Sequence, residues 1–296
     1  MSADGLVLPI AIDVMGADNG ISPIVRGAIA AAESGIPVVL VGDKTNILEA
    51  FPNLTLPIIN TDDAFGGEEP ARMVRNRRSS SVWTTAALLS SGHASGVLSY
   101  GNSGALVVSA FGTIGAILPD LRPAVAAVLP TQSGKDFILV DAGATLDCKA
   151  ATLVGFAKLG VAYAKSRGIL EPRVGFLSNG HEPTKGTQIV REALDEVSVH
   201  FSVQQVEPAD VLAGAVDVVV CDGFLGNIFL KTMEALVPRV TTGSGHVYAG
   251  GLLLGVDGVV VVGHADADKD EVYSSITLAY EMVLSGVVEK ISGAIT

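Results

Sequence analysis

Short apolar runs rich in β-branched residues recur along this chain, each giving way to a turn of Gly, Asp or Asn and then to a segment with helical spacing. The runs fall at residues 8–14, 38–41, 96–99, 137–141, 173–177, 216–221 and 258–263. Runs this short and this continuously apolar predict strands buried on both faces. Between them, Leu153, Phe156, Gly160 and Tyr163 are spaced by three or four residues, as are Val82, Ala86 and Leu89. That spacing predicts helices, and the small residues on them permit close packing against a sheet. Strands alternating with helices predict an α/β fold with a largely parallel sheet covered on both faces. No Pro/Ser-rich linker, charge block or internal repeat divides the chain, so residues 1–296 read as one continuous domain.

Composition narrows the class. With 49% hydrophobic and 17% charged residues the chain can bury a large core. Its Met1-Ser2-Ala3-Asp4-Gly5 start lacks the basic and apolar regions of a signal peptide, and no apolar run approaches the ~18 residues that span a bilayer. A soluble, cytoplasmic protein is expected. Cys148 and Cys221 form no Cys-x-x-Cys or Cys/His cluster, and His93, His181, His200 and His246 show no metal-ligand spacing. Neither a disulfide framework nor a metal site is expected. The net charge of -12 disfavours nonspecific binding to nucleic acid or anionic lipid, which are themselves polyanions. Against that background the cluster Arg72, Arg75, Arg77 and Arg78 stands out as a local basic patch.

In open α/β sheets, ligands bind beyond the carboxyl ends of the strands, where helix N-termini present unpaired amides. The residues that follow each run are therefore the candidates. After the first come Asp13, Gly16, Asp18 and Asn19, with a helix beginning near Pro23. No dinucleotide fingerprint is present. Asp and Asn there serve either as caps of that helix or as a polar rim of a site. After residues 96–99, Gly101-Asn102-Ser103-Gly104 opens a helix running towards Gly115. The glycines admit a ligand to the backbone and the helix dipole favours an anion, although Gly-Asn-Ser-Gly is equally an ordinary helix start. Lys185, in the string 179–186, is expected in the first turn of a helix, where its charge opposes the dipole. An anionic ligand explains that placement better than folding does, with an exposed loop lysine as the plain alternative. Asp222 and Asn227 follow the 216–221 run, and Lys231 shares the Asn227 face one turn on. Cys221 reads as a small buried hydrophobe rather than a nucleophile. His264 ends the last run, as a site residue or a helix cap.

Taken in order, these strings resemble those of the PlsX family, the acyl-carrier-protein:phosphate acyltransferases. Ile12-Asp13-Val14-Met15-Gly16-Ala17-Asp18 resembles the family's Asp-x-Met-Gly-Gly-Asp, and residues 99–106 its Ser-Ala-Gly-Asn-Thr-Gly-Ala-Leu. Asp141-Ala142-Gly143-Ala144-Thr145-Leu146-Asp147-Cys148-Lys149 resembles Asp-x-Gly-Ala-Asn-x-Asp-Cys-Lys, and Thr184-Lys185-Gly186, residues 219–227 and residues 250–258 continue the agreement. The resemblance implies a three-layer α/β/α fold similar to the isocitrate and isopropylmalate dehydrogenases, usually as a homodimer. It implies acyl carrier protein and inorganic phosphate as partners, acyl phosphate as product, and no cofactor or obligatory metal.

Some positions depart from the family. Tyr100, Ser103 and Thr145 stand where Ala, Thr and Asn are usual, and residues 203–208 replace a Gly-Asn-Val-Glu-Gly string. The long amphipathic excursion linked to membrane association is reduced to a short segment near 237–248, which puts membrane docking in doubt.

Transfer to phosphate needs no covalent enzyme intermediate, so positioning and charge stabilisation carry the expected chemistry. Lys185 and the amides around Asn102 to Gly104 are expected to hold phosphate, with Asn102, Ser103 or nearby amides stabilising the oxyanion. Asp222 is expected beside them in the chemistry, and with Asn227 and Lys231 it would orient phosphate and thioester. Asp13, Gly16, Asp18, Gly101, Gly104, Asp141 and His264 complete the expected substrate-binding set. The Arg72–Arg78 cluster is the expected docking face for the acidic carrier, against the plainer reading of a solvated helix face. Three other readings remain: a CoA-dependent phosphate acetyl- or butyryltransferase, an isocitrate-type dehydrogenase, and a noncatalytic acyl-carrier-binding homologue.

Overall fold

The computed structural model describes residues 7–198, 202–236 and 250–295. The shortened segment near 237–248 and the histidines His200 and His246 lie outside the described residues. Two compact units are formed: the chain up to Ala116 with Val256–Val288, and Ile117–Gly255 with the residues from Glu289 on.

The first unit runs through β1 (Ile10–Asp13), α1 (Ile21–Glu33), β2 (Val38–Gly42), α2 (Lys44–Ala50), β3 (Ile58–Asn60), a 3₁₀ helix (Ala71–Asn76), α3 (Ser81–Ser90), β4 (Gly96–Ser99) and α4 (Ser103–Thr113). Every residue of β1, β2 and β4 is buried. Successive side chains on a strand point to opposite faces, so full burial means that both faces are covered.

The second unit carries β5 (Ala124–Pro130), β6 (Asp136–Val140), α5 (Ala150–Ser166), β7 (Val174–Leu177), α6 (Gln188–Val197), β8 (Val203–Val206), α7 (Pro208–Leu212), β9 (Val218–Val220), α8 (Gly223–Leu236) and β10 (Gly251–Leu254). The chain then returns to the first unit with β11 (Val259–Val262) and α9 (Lys269–Leu284), before the closing helix α10 (Val287–Ile295).

Within the first unit the strand order is β3-β2-β1-β4-β11, all parallel, with Asp13, Ser99 and Val262 in register. Their carboxyl ends therefore finish flush, and the loops after β1, β4 and β11 leave from one edge. Within the second unit the order is β10-β5-β6-β9-β7-β8. Its β10–β5 and β5–β6 pairs are antiparallel, and the pairs from β6 to β8 are parallel. The largely parallel α/β class expected from the pattern holds, and all seven anticipated strands form. Strands β3, β5, β8 and β10 were not anticipated. Among the described residues no helix is long and apolar enough to cross a membrane.

Helix packing rests on small residues, as the spacing predicts. Leu153, Phe156, Gly160 and Tyr163 are all buried on α5. A β-carbon at Gly160 would stand 2.6 Å from Val218 Cγ1 on β9. At Gly27 of α1 a β-carbon would stand 2.4 Å from Val272 Cγ1 on α9. Val218 is β-branched and fully buried, so it has no free rotamer in which to retreat. Gly160→Val is therefore expected to destabilise the fold by about 1–3 kcal/mol through overpacking. Urea unfolding checks this, and a midpoint equal to wild type would show that α5 does not pack as tightly as described.

Candidate active site

Three loops meet at the strand edge of the first unit. The β1 loop turns at Asp13, which is buried; its Oδ1 accepts from the Met15 amide at 3.1 Å and its Oδ2 from the Ser99 hydroxyl at 2.8 Å. Burial pushes the Asp13 pKa up to about 6, partly offset by the Ser81, Ser99 and Met15 hydrogen bonds. Gly16 adopts φ +83°, and a β-carbon there would stand 3.4 Å from Gly101 Cα; one at Gly101 would stand 3.2 Å from Met15 O. These two glycines thus let the β1 and β4 loops touch backbone to backbone. The β1 loop also ties to the one after β11: Asp18 N donates to Ala265 O and Asn19 Nδ2 to Asp266 O. Neither side chain caps α1, whose N-cap is Gly20 without a side-chain cap bond. The capping alternative is thereby corrected; Asp18 sits exposed on the rim. Half-buried His264 opens the β11 loop, and its carbonyl accepts from Ala267 N.

After β4, Asn102 is the N-cap of α4, its Oδ1 accepting from Ala105 N at 3.0 Å. Its amide nitrogen lies 3.1–3.3 Å from the carbonyls of Gly66, Gly67 and Glu69. The side chain expected to face an oxyanion is thus turned inwards, to fix the loop. Ser103 is exposed at the first position of α4, and the amides of Ser103 and Gly104 have no acceptor among the described residues, as expected of the first turn of a helix. Gly104 accommodates Ala71, whose Cβ would lie 2.8 Å from an added β-carbon, so its smallness serves the 3₁₀ helix rather than a ligand. Tyr100 is fully buried over Gly263, where a β-carbon would strike its ring, and its hydroxyl lies 3.3 Å from Val272 O.

The basic cluster divides. Arg77 binds Asp63 and Glu69, donates to Ala64 O and stacks over Phe65. That places it within the fold and corrects its assignment to a docking face. Hydrogen bonding to Arg77 holds the Asp63 carboxyl below its ordinary range; the Gly66 amide, with Arg77 second, does the same for Glu69. Glu69 Oε1 accepts from Gly66 N, so Arg77 braces the loop that grips Asn102. Arg72 and Arg75 are exposed, and Arg78 lies over Trp83.

In the second unit the β6 loop wraps a buried carboxylate. Asp141 Oδ1 accepts from Val125 N, Gly143 N and Ala144 N at 2.8–3.1 Å, and Oδ2 from Thr145 N at 2.6 Å. Burial pushes its pKa up and the four amides pull the other way. Asp222 starts α8, accepting from Leu225 N at 2.8 Å as an N-cap does. Exposed Asn227 stands one turn on, its Nδ2 3.4 Å from Ala142 O. Lys231 follows, also exposed, with Nζ 3.2 Å from Glu234 Oε2, so its charge already has a partner.

Lys185 lies outside any helix. It occupies the turn that precedes α6, donating its amide to Glu182 O, while Thr187 caps the helix. The dipole argument for it therefore falls, because the first turn of α6 begins three residues later. Its side chain is exposed, runs over Gly180 and makes no ion pair among the described residues.

Neither cysteine is poised to attack. Burial, followed by the Asp141 and Asp222 charges, pushes the Cys148 thiol up to about 12 and Cys221 well above its ordinary value. His181, remote in sequence from Glu207 and Asp210, brings a ligand atom within 4.8 Å of theirs, a grouping that sequence spacing could not show. The group is half exposed, and Asp210 is already engaged in the capping box of α7.

Residues 8–242 match the family described as "Fatty acid synthesis protein". The chain is 36% identical, over 97% of each sequence, to a protein of Helicobacter hepaticus named phosphate acyltransferase. A protein of the same name from Trichlorobacter lovleyi is 35% identical over 96% of this chain and 93% of its own. The chain belongs to this family, the PlsX phosphate acyltransferases. The Helicobacter alignment spans 325 positions, more than this chain has residues, so that relative carries residues without counterparts here. Among solved structures, a phosphotransacetylase from Streptococcus pyogenes superposes with TM-score 0.64 at 17% identity, over 94% of this chain and 95% of that one. A branched-chain phosphotransacylase from Enterococcus faecalis gives 0.64 at 18%, over 93% and 99%. A 4-hydroxythreonine-4-phosphate dehydrogenase from Klebsiella pneumoniae gives 0.57 at 17%, over 93% and 99%. These likenesses establish the expected isocitrate-dehydrogenase-like fold.

Asp13 gives the family's first loop a pH signature. Its ordinary value is 3.8 and its value in the fold about 6, so the folded protein keeps a proton that the unfolded chain releases. The stability this contributes is complete below the unfolded value and is lost as pH rises through the folded one. The difference corresponds to on the order of 3 kcal/mol. Asp63, Glu69 and Asp217, held low, act with the opposite sign and at lower pH, and they are common to wild type and variant. The stability of wild type minus that of Asp13→Asn is expected to fall by that order from about pH 4 to about pH 7. Parallel unfolding curves across that range would mean that Asp13 ionises normally.

Proposed function

We propose that this protein transfers the acyl group of a fatty acyl-carrier-protein thioester to inorganic phosphate, in the cytoplasm, and that residues 1–296 serve as one acyltransferase domain in a homodimer. Near-full-length identity of 36% to a phosphate acyltransferase carries the reading. A phosphate oxygen attacks the thioester carbonyl, the C–S bond breaks, and the carrier leaves as a thiolate that takes up a proton. The high thiol pKa values of Cys148 and Cys221 favour this direct attack over an acyl-enzyme.

In the first unit, the unpaired amides of Ser103 and Gly104 and the exposed Ser103 hydroxyl offer neutral donors to a developing oxyanion or a phosphate oxygen. Asn102 acts by holding that loop, and Asp13, Gly16, Asp18, Gly101 and His264 shape its surroundings. In the second unit, Lys185 offers a cation to phosphate. Asp222 and Asn227, fixed by α8 and the Asp141 loop, orient substrate, while Lys231 beyond them is paired with Glu234 and contributes less.

Incubation with acyl-carrier protein and phosphate, followed by hydroxylamine trapping, is expected to give a phosphate-dependent acyl hydroxamate by mass spectrometry. Turnover with acetyl- or butyryl-CoA alone would move the assignment to a short-chain phosphotransacylase. Binding without product would make the chain a carrier-binding homologue. Lys185→Ala is expected to lower kcat/KM for phosphate by at least tenfold, corresponding to about 1.4 kcal/mol or more. Near-normal turnover at limiting phosphate would remove its role. Exposed Arg72 and Arg75, with Arg78, remain the proposed carrier-docking cations. Arg72→Glu with Arg75→Glu is expected to raise the KM for the carrier severalfold at low salt and little at high salt. An unchanged KM at low salt would place docking elsewhere.

A further inference from the structure

The second unit contains an apolar groove in which only Asp222, at one end, has a substrate role assigned above. It is a cavity of about 670 Å³ between α8, α6 and α7, floored by Leu177 at the end of β7. One end is polar, where Ser178, Asn179, Thr187 and Asp222 line it. From Asp222 the wall follows α8 through Leu225, Phe229, Met233 and Leu236, a stripe repeating every three or four residues. Val190 and Leu212 face that stripe across the groove. Fourteen residues of helix separate Asp222 from Leu236, about 21 Å at the α-helical rise, which is the length scale of a long-chain acyl group.

The surface around the groove is apolar beyond what scattered exposure explains. Among the described residues, ten large hydrophobic side chains are exposed, and five of them are Ile189, Phe224, Leu225, Ile228 and Leu236 on α6 and α8. Half of the exposed apolar side chains thus lie on two neighbouring helices, which marks a binding surface. The same helix begins with Asp222 at the strand edge that carries the candidate chemistry. A groove polar at its reacting end and apolar along its length matches an amphiphile with its carbonyl at Asp222 and its tail along α8.

We infer that this groove holds the acyl chain of the thioester donor and sets the chain length the enzyme prefers. The inference rests on the acyltransferase reading given above. Each buried methylene tightens binding by about fourfold. The donor KM is therefore expected to fall by about that factor per added methylene while the tail extends along α8. Ile228→Trp and Thr232→Trp, at exposed positions on α8, fill the groove without touching the core.

The test uses the full chain with palmitoyl and butyryl donors. Filling the groove is expected to lower kcat/KM for the palmitoyl donor at least tenfold and to leave the butyryl donor within about twofold. In parallel, a palmitoyl thioester bearing a terminal diazirine is photolysed with wild-type protein, and the labelled peptides are expected to come from α6, α7 and α8. An active wild type whose chain-length preference is unchanged by both tryptophans overturns the groove while leaving the acyltransferase reading intact. Labelling confined to other elements overturns it as well. So do tryptophan variants that change oligomeric state but not chain-length preference, since the groove would then be a subunit contact. If no donor yields acyl phosphate but the diazirine still labels α6, α7 and α8, the acyltransferase reading fails and the acyl-binding groove stands.

Discussion

At Gly226 the first turn of α8 meets the carbonyl of Asp141 with no space between them. A β-carbon there would lie 1.9 Å from that oxygen, and one at Gly223 would lie 2.7 Å from Asp141 Oδ2. No side-chain rearrangement relieves the first of these contacts, because the obstacle is backbone. This approach lets the helix start directly beyond β9 and sets Asn227 beside the Ala142 carbonyl. Asp141 meanwhile holds its own loop by accepting three of its backbone amides, and ties it to β5 by accepting a fourth from Val125. The loop fixes the helix, and the helix positions both Asp222 and the apolar stripe that follows it. The reacting end and the tail groove of the proposed donor site are therefore two parts of one rigid element.

The first unit solves the corresponding problem with the same means. Gly16 and Gly101 bring two strand-end loops into backbone contact, and buried Asp13 ties them through Ser99 and Met15. In both units a carboxyl that sequence motifs mark as functional spends its hydrogen bonds inwards. A buried carboxylate without partners costs several kcal/mol, so each is surrounded by donors. Its effect on a ligand is then exerted through the loops it shapes.

Much of this was legible in the sequence, for identifiable reasons. Strands such as β1 and β4 are mostly apolar, buried at every position and stand between clear turns, and a doubly covered parallel sheet favours that pattern. Three of the four strands that escaped notice carry a weaker signal, whereas β10, Gly-Leu-Leu-Leu, is apolar and fully buried and lacks only β-branched residues. β8 reads Val-Gln-Gln-Val on an edge, β3 has three residues, and β5 is rich in alanine and closes on proline. Among the candidate residues, Asp222 and Asn227 do come together, because their spacing on one helix fixes their relation. Arg77 and Asn102 were misread because their partners, Asp63, Glu69 and the carbonyls of residues 66–69, come from a loop whose path the sequence does not reveal. The start of α6 was placed about one turn too early, which put Lys185 inside the helix, because helix boundaries are the least determinate feature of a pattern. The groove was invisible for a related reason: its walls are three helices whose apolar faces look like ordinary core stripes until their exposure is known.

The distribution of charge also bears on how such an enzyme can work. The chain carries a net charge of -12, and both proposed substrates, phosphate and an acidic carrier, are anions. Attraction by the whole molecule is therefore unavailable, and binding must rely on local donors that are not already paired. Arg77 is consumed by Asp63 and Glu69, and Lys231 by Glu234. Among the described residues, Lys185 in one unit and Arg72 and Arg75 in the other are exposed cations without such partners, so their charge remains available to a ligand. Neutral amides at the start of α4 add donors at no cost in repulsion, and they need no reorganisation when charge develops on an oxygen beside them. With burial disfavouring both thiolates, the proposed reading assigns the nucleophile to phosphate itself. The demand on the protein then shifts from activating a side chain to holding two anions and one apolar chain in fixed positions, which is what short strand-end loops locked by glycine contacts are suited to do.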